Sequence, residues 1–140
     1  MTHHFHTRVY YEDTDLAGIV YHANYLKFIE RARSELVREA GVSQSDLKSD
    51  HGIVFAVRRM AVEFLAPAKF EDMLEVRTGF VSLTGARFML DQSVWRDGTP
   101  LFQADVQVVC LDAAGRAARI PADIRQKLTR FQQASGADPE

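Results

Sequence analysis

The residues best suited to chemistry in this 140-residue chain lie in one stretch, YYEDTDLAGIVYHANYLKF, residues 10–28. Asp13 and Asp15 flank a threonine, Gly18 follows, and His22 stands where an apolar helical pattern begins. A carboxylate can act as a nucleophile or as a general base that activates water. The unpaired N–H groups at a helix start carry partial positive charge and can hold a developing oxyanion. A loop that sets a carboxylate within a few residues of a helix start therefore suits a catalytic carboxylate aimed at the positive end of a helix. Gly18 lets the backbone turn tightly and lets a substrate approach closely. The same Asp-x-Asp pattern also suits a turn or a helix cap with no chemistry at all. His22, taken alone, reads as a helix-start histidine at the surface.

Other polar residues point to less. His3, His4 and His6 could suggest a metal, but a frayed and solvated terminus is the expectation for THHFHT. His51 sits in a polar loop without a second ligand at fixed spacing. No metal site and no cofactor are expected. Cys110 is the single cysteine, so an internal disulfide is impossible, and its apolar run VQVVCL makes it an inert core thiol. Arg58 and Arg59 are neighbours on one expected strand and should face opposite sides. Arg87 follows a Thr84-Gly85 turn. Arg58 and Arg87 could meet phosphates, although a solvated surface role fits each as well.

The elements that must position these groups follow from periodicity. Phe5 to Glu12 reads as a first strand, broken by DTDLAG. From about Val20 to Ala40 the pattern is helical, with Tyr25, Ile29, Ala32, Leu36 and Ala40 at three- and four-residue spacing. Leu26, Phe28 and Val37 widen that stripe, and Arg31, Arg33, Glu35, Arg38 and Glu39 supply the polar side. Gly41 stops the helix. After a polar loop from Ser43 to Gly52, strands are expected over residues 53–65, 73–83, 86–96 and 100–112, with a hairpin signal at DGT. A short helix follows, over residues 120–131. The last four strands should pair as an antiparallel meander. One long helix on a curved antiparallel sheet of about five strands is a two-layer α+β arrangement. A single domain over residues 1–131 and a flexible tail over 132–140 are expected. The open strand edges suggest pairing with a second copy.

Composition bounds the function. Hydrophobic residues make up 46% and charged residues 26%, with a formal charge of −2, a soluble globular profile. No global basic field recruits nucleic acid. No apolar run approaches ~18 residues, so no transmembrane helix is expected, and the N-terminus has no signal-peptide core. A cytoplasmic protein is the expectation.

The stretch YYEDTDLAGIVYHANYLKFIERAR, together with FAVRRMAVEFLAPAKFEDMLEV and VQVVCLD, resembles the Tol-Pal-associated acyl-CoA thioesterases. These belong to the 4-hydroxybenzoyl-CoA thioesterase-like branch of the hotdog fold. The resemblance spans about Thr7 to Phe131. It implies a sheet wrapped around one long helix, hydrolysis of an acyl-CoA thioester, and Asp15 as the catalytic carboxylate, with Asp13 left as a turn residue. It also implies that the backbone N–H of His22 meets the thioester carbonyl and that its imidazole takes part. Gly18, Val20, Tyr21, Asn24 and Tyr25 match the motif and are expected around the substrate, Asn24 and Tyr25 chiefly to orient loop and helix. Arg58 and Arg87 are the candidates for the nucleotide end. A homodimer or homotetramer with a shared site, an acyl carrier protein as alternative thioester carrier, and an association with envelope or phospholipid-synthesis machinery are further implications. Two other readings compete: a hotdog hydratase acting on enoyl thioesters, whose different motif is missing here, and a non-catalytic thioester-sensing module, against which the intact Asp15 argues.

Overall fold

The computed structural model describes residues 2–136. Its elements are β1 (His3–Arg8), a 3-10 turn (Tyr11–Asp13), α1 (Asn24–Glu39), α2 (Gln44–His51), β2 (Val54–Phe64), β3 (Met73–Leu83), β4 (Arg87–Arg96), β5 (Thr99–Leu111) and α3 (Ala122–Gly136). The strands form one antiparallel sheet in the order β1-β3-β4-β5-β2. Helix α1 crosses β1, β3 and β4, burying Tyr25, Phe28, Ile29, Ala32, Leu36 and Val37 against Leu74, Val76, Phe88, Leu90, Phe102 and Val106. Removing that apolar surface from water is the main term holding the two layers together. A long helix held in a curved five-stranded sheet is the hotdog arrangement.

Several expectations are corrected. Only β3, β4 and β5 form a meander. β2 pairs with β5 at the far edge rather than with β3, because residues 65–72 carry the chain across the end of the sheet. Pro67 interrupts pairing there, and the crossing is pinned by Leu65 and Ala66 N–H groups on the Leu101 carbonyl. Helix α1 starts at Asn24 rather than near Val20, since Val20 bridges Thr14 and donates its N–H to Ala68. Glu12 belongs to the 3-10 turn, not to the first strand. The polar loop after Ser43 is instead α2, capped by the Ser43 hydroxyl accepting the Asp46 N–H at 3.2 Å. Residues 132–136 continue α3, and 137–140 lie outside the described residues.

Two side chains of α1 also depart from the helical stripe. Leu26 is left at the surface. Arg33 turns toward the sheet and donates to the Gln92 Oε1 at 2.9 Å, while the Gln92 Nε2 donates to the Ile29 carbonyl and the Thr78 hydroxyl. Burial pulls the Arg33 pKa down, opposed by the charge of Glu30. The histidine run is no frayed end. His3, His4 and His6 lie in β1, with His3 buried beside Phe131 and its Nε2 3.1 Å from Glu39. Cys110 is buried, and burial pushes its thiol pKa up. Among the described residues no helix is long and apolar enough to cross a membrane, and no group of three or more His, Cys, Asp or Glu side chains gathers to hold a metal ion.

Candidate active site

The Asp15 loop is a miniature hairpin. Thr14 bridges Val20, the Asp15 N–H donates to the Ile19 carbonyl at 2.9 Å, and the Gly18 N–H donates back to the Asp15 carbonyl at 3.0 Å. Closing so short a turn requires a positive φ, and Gly18 supplies it at +81°. The Asp15 Oδ1 accepts the Ala17 N–H at 2.9 Å, which fixes the carboxylate and leaves Oδ2 without a partner among the described residues. One oxygen is anchored and the other is unengaged.

The loop is fastened at its base. The Asp13 carbonyl accepts the Tyr21 N–H and the Asn24 Nδ2, both at 2.9 Å. The Asp13 carboxylate turns inward and accepts the Tyr10 N–H at 2.8 Å. Its burial, at 6% exposure, takes it away from any substrate. The two aspartates of the motif thus have different surroundings: Asp13 is a buried fastening and Asp15 an exposed carboxylate.

The outer wall comes from the β2–β3 crossing. Ile19 bridges Lys69, the Val20 N–H meets the Ala68 carbonyl at 2.8 Å, and the Ala68 N–H donates to the Tyr25 hydroxyl at 3.1 Å. Asp72 holds this crossing. Its Oδ2 accepts the Lys69 N–H at 2.8 Å and Arg96 at 2.7 Å. Burial pushes the Asp72 pKa up, but these bonds outweigh it and hold the carboxyl below its usual range.

Asp15, Ile19, Val20, His22, Tyr25 and residues 64–67 line a groove of about 410 Å³. Its apolar side is an aromatic stack: Tyr25 lies parallel on Phe102 at 4.9 Å, and Phe64 meets both rings edge-on. The His22 ring packs on Tyr21 at 4.5 Å and faces the edge of Phe64 at 6.1 Å. Among the described residues neither the His22 nor the Ala23 N–H has an acceptor within the chain. Asp15, with an unengaged carboxylate oxygen, and His22, with an unpartnered backbone N–H, thus line one apolar groove, and Ala23 follows at the helix start.

The structure brings together Asp15, Val20, His22 and Tyr25 from the sequence reading. Gly18 shapes the turn without lining the groove, and Tyr21 supports the His22 ring. Asn24 is buried, its amide engaged by Asp13. Arg58 and Arg87 are exposed and lie elsewhere. Arg58 is the extra residue of a β-bulge between Val57 and Arg59, so strict alternation fails and both arginines are exposed. From Phe64 to Arg58 is roughly 20 Å along β2, at about 3.3 Å per residue. Ile19, Phe64, Leu65, Ala66 and Pro67 were missed as groove residues. Only the proline-broken end of the strand hinted that this segment does something other than pair.

The thioesterase-like superfamily profile matches residues 9–128, which include the Asp15 loop, α1 and the crossing. The chain is 46% identical over 106 residues to the acyl-CoA thioester hydrolase YbgC of Escherichia coli O6:H1, covering 75% of this chain and 78% of that protein. It is 41% identical over 108 residues to the acyl-CoA thioesterase YbgC of Haemophilus influenzae, covering 77% and 79%. Among solved structures, a probable thioesterase from Bartonella henselae aligns with a TM-score of 0.82 at 37% identity, over 86% of this chain and 100% of that one. The fold, the hairpin-and-helix site and these matches agree: the chain belongs to the thioesterase-like superfamily.

Proposed function

We propose that this protein hydrolyses acyl-CoA thioesters to a free acid and coenzyme A, with Asp15 as the reacting carboxylate. The observation that carries this reading is that Asp15, with a free carboxylate oxygen, lines the same groove as His22, whose backbone N–H and that of Ala23 next to it at the helix start have no acceptor among the described residues. The thioester carbonyl oxygen lies against those N–H groups, which stabilise the negative charge as the carbonyl carbon becomes tetrahedral. Asp15 either attacks that carbon itself or takes a proton from the water that does. In both routes one water is consumed, the C–S bond breaks and the sulfur leaves as a thiolate. Cysteine's free thiol has a pKa of about 8.5, so a related alkyl thiolate leaves readily. The imidazole of His22 orients water or polarises the carbonyl from the groove wall. The acyl chain packs on Tyr25, Phe64 and Leu65.

The proposal extends to a homodimer or homotetramer formed through the open edge of β2, where Val54, Val57, Val62 and Phe64 are exposed. Arg58 and Arg87 are assigned to the phosphates of the nucleotide end. A cytoplasmic location is part of the same proposal, while acyl carrier protein as a second thioester carrier and the Tol-Pal, envelope or phospholipid-synthesis association rest on the sequence resemblance.

Release of free thiol from a panel of acyl-CoA and acyl carrier protein thioesters of varied chain length and aromaticity tests this reading. Turnover of at least one is expected. No release from any, with the protein folded, would refute it. Hydration of an enoyl-CoA without thiol release would replace it.

A further inference from the structure

We propose that Asn24 is a positioning residue of the hydrolytic site, setting where Asp15 stands relative to the start of α1. The inference rests on the reading of Asp15 and the helix-start N–H groups as the reacting pair. Every hydrogen bond found for Asp15 stays inside its own turn: its N–H to Ile19, its carbonyl from Gly18 and its Oδ1 from Ala17. The returning arm of the turn is held by the crossing, through Ile19 on Lys69 and Val20 on Ala68, while the arm that carries Asp15 meets the helix at its base. There the Asp13 carbonyl receives the Tyr21 N–H and the Asn24 Nδ2. Of those two donors, only Asn24 belongs to α1. Its own N–H also donates to the Tyr21 carbonyl at 2.8 Å. One residue thus ties both ends of the loop, Asp13 two positions before Asp15 and Tyr21 one before His22, to the rigid helix.

The chemistry requires an amide at this point. The acceptor is a carbonyl oxygen, so the side chain must donate. The site is buried, with Asn24 at 7% exposure, so water cannot readily substitute. An aspartate has the same shape but places a carboxylate oxygen against the carbonyl, and the two repel. An alanine leaves the Asp13 carbonyl with the Tyr21 N–H alone. Either change frees the arm that carries Asp15 to shift, and displacing a reacting group by about 1 Å can cost on the order of 10²-fold in rate.

Kinetics of Asn24→Asp and Asn24→Ala, per folded site by circular dichroism and thermal melting, test the proposal with the best acyl-CoA found for wild type. Both variants should lose roughly 10- to 100-fold in kcat, with KM within about threefold. The Asp variant should regain activity relative to wild type as pH falls toward about 4–5, where a protonated carboxyl can donate again. The Ala variant should not, and it carries the test if the Asp variant fails to fold at neutral pH. Wild-type kcat in both folded variants, with only a lowered melting temperature, would overturn the proposal. A raised KM at unchanged kcat would instead make Asn24 a substrate contact. If wild type itself releases no thiol, the functional reading falls and the proposal with it, whereas active wild type beside equally active variants removes the proposal alone.

Discussion

Removing a single oxygen, in Tyr25→Phe, separates the packing of the groove from its hydrogen bonding. The ring should keep its place, since its parallel contact with Phe102 and its edge contacts with Phe28 and Phe64 need no hydroxyl. What is lost is the acceptor for the Ala68 N–H. Ala68 is 0% exposed, so that N–H is left without water or protein. An orphaned buried donor costs about 1–3 kcal/mol. For a chain of this size that lowers the melting temperature by roughly 3–10 °C. The consequence reaches the site because the Ala68 carbonyl holds the Val20 N–H on the returning arm of the Asp15 hairpin. A several-fold loss of kcat per folded site is expected alongside the stability loss. Alkaline titration gives a second signature. Burial raises the Tyr25 phenol pKa above its ordinary value of 10.0, opposed by the Ala68 bond. A pKa raised in the folded state gives stability that is complete below about pH 10 and is lost as pH rises through the folded value. Wild type should therefore lose this contribution in alkali, and the Phe variant should lack it at every pH. Thermal melts from pH 7 to 11 on both proteins measure this directly. Equal melting temperatures at pH 7, with equal rates, would refute the coupling of Tyr25, Ala68 and the hairpin.

Three further outcomes follow from the geometry. His22→Ala keeps the backbone N–H, so a loss on the order of 10²-fold or more in kcat assigns a role to the imidazole, while a rate within a few-fold of wild type leaves only the helix start. Asp72 has a depressed carboxyl pKa, so its stabilisation is present above the unfolded value near 4 and is lost as pH falls through the folded value; Arg96→Gln should melt lower than wild type at pH 7, and the difference should shrink in acid. Light scattering over a dilution series should find at least a dimer at assay concentrations, and a fully active monomer would remove both the assembly and the shared site.

Where local pattern decides structure, the sequence is a good guide. β3 alternates from Met73 to Thr78 before a bulge between Phe80 and Ser82, and clear turn signals mark its bounds at Met73 and Leu83. The β4–β5 hairpin was visible in DGT because Asp97 and Gly98 both take positive φ, at 48° and 79°. α2 was missed because Leu47 is its only buried residue, which leaves no apolar stripe to read. The place of β2 is not legible from its short connection to β3, because the crossing through Pro67 and Ala68 is held by contacts far apart in sequence. The same distance hid the groove wall. Asp15 and His22 could be singled out because their motif is local. Phe64 could not, because nothing in its strand says that it will meet His22. The inward turn of Arg33 was equally hidden, since its partner Gln92 lies on another element.

The central claim is that Asp15, and not its neighbour in the motif, does the chemistry. Thiol release by Asp15→Asn and Asp13→Asn, compared at equal folded concentration on the best substrate, tests it most directly. An amide keeps the shape of Asp15 and can still accept the Ala17 N–H, but it neither attacks nor activates water. The account predicts a loss of roughly 10²–10⁴ in kcat, about 3–5 kcal/mol of barrier. Asn at position 13 can still accept the Tyr10 N–H, so that variant should lose about tenfold or less. Asp15→Asn turning over as fast as wild type, or Asp13→Asn as the inactive member of the pair, would contradict the account.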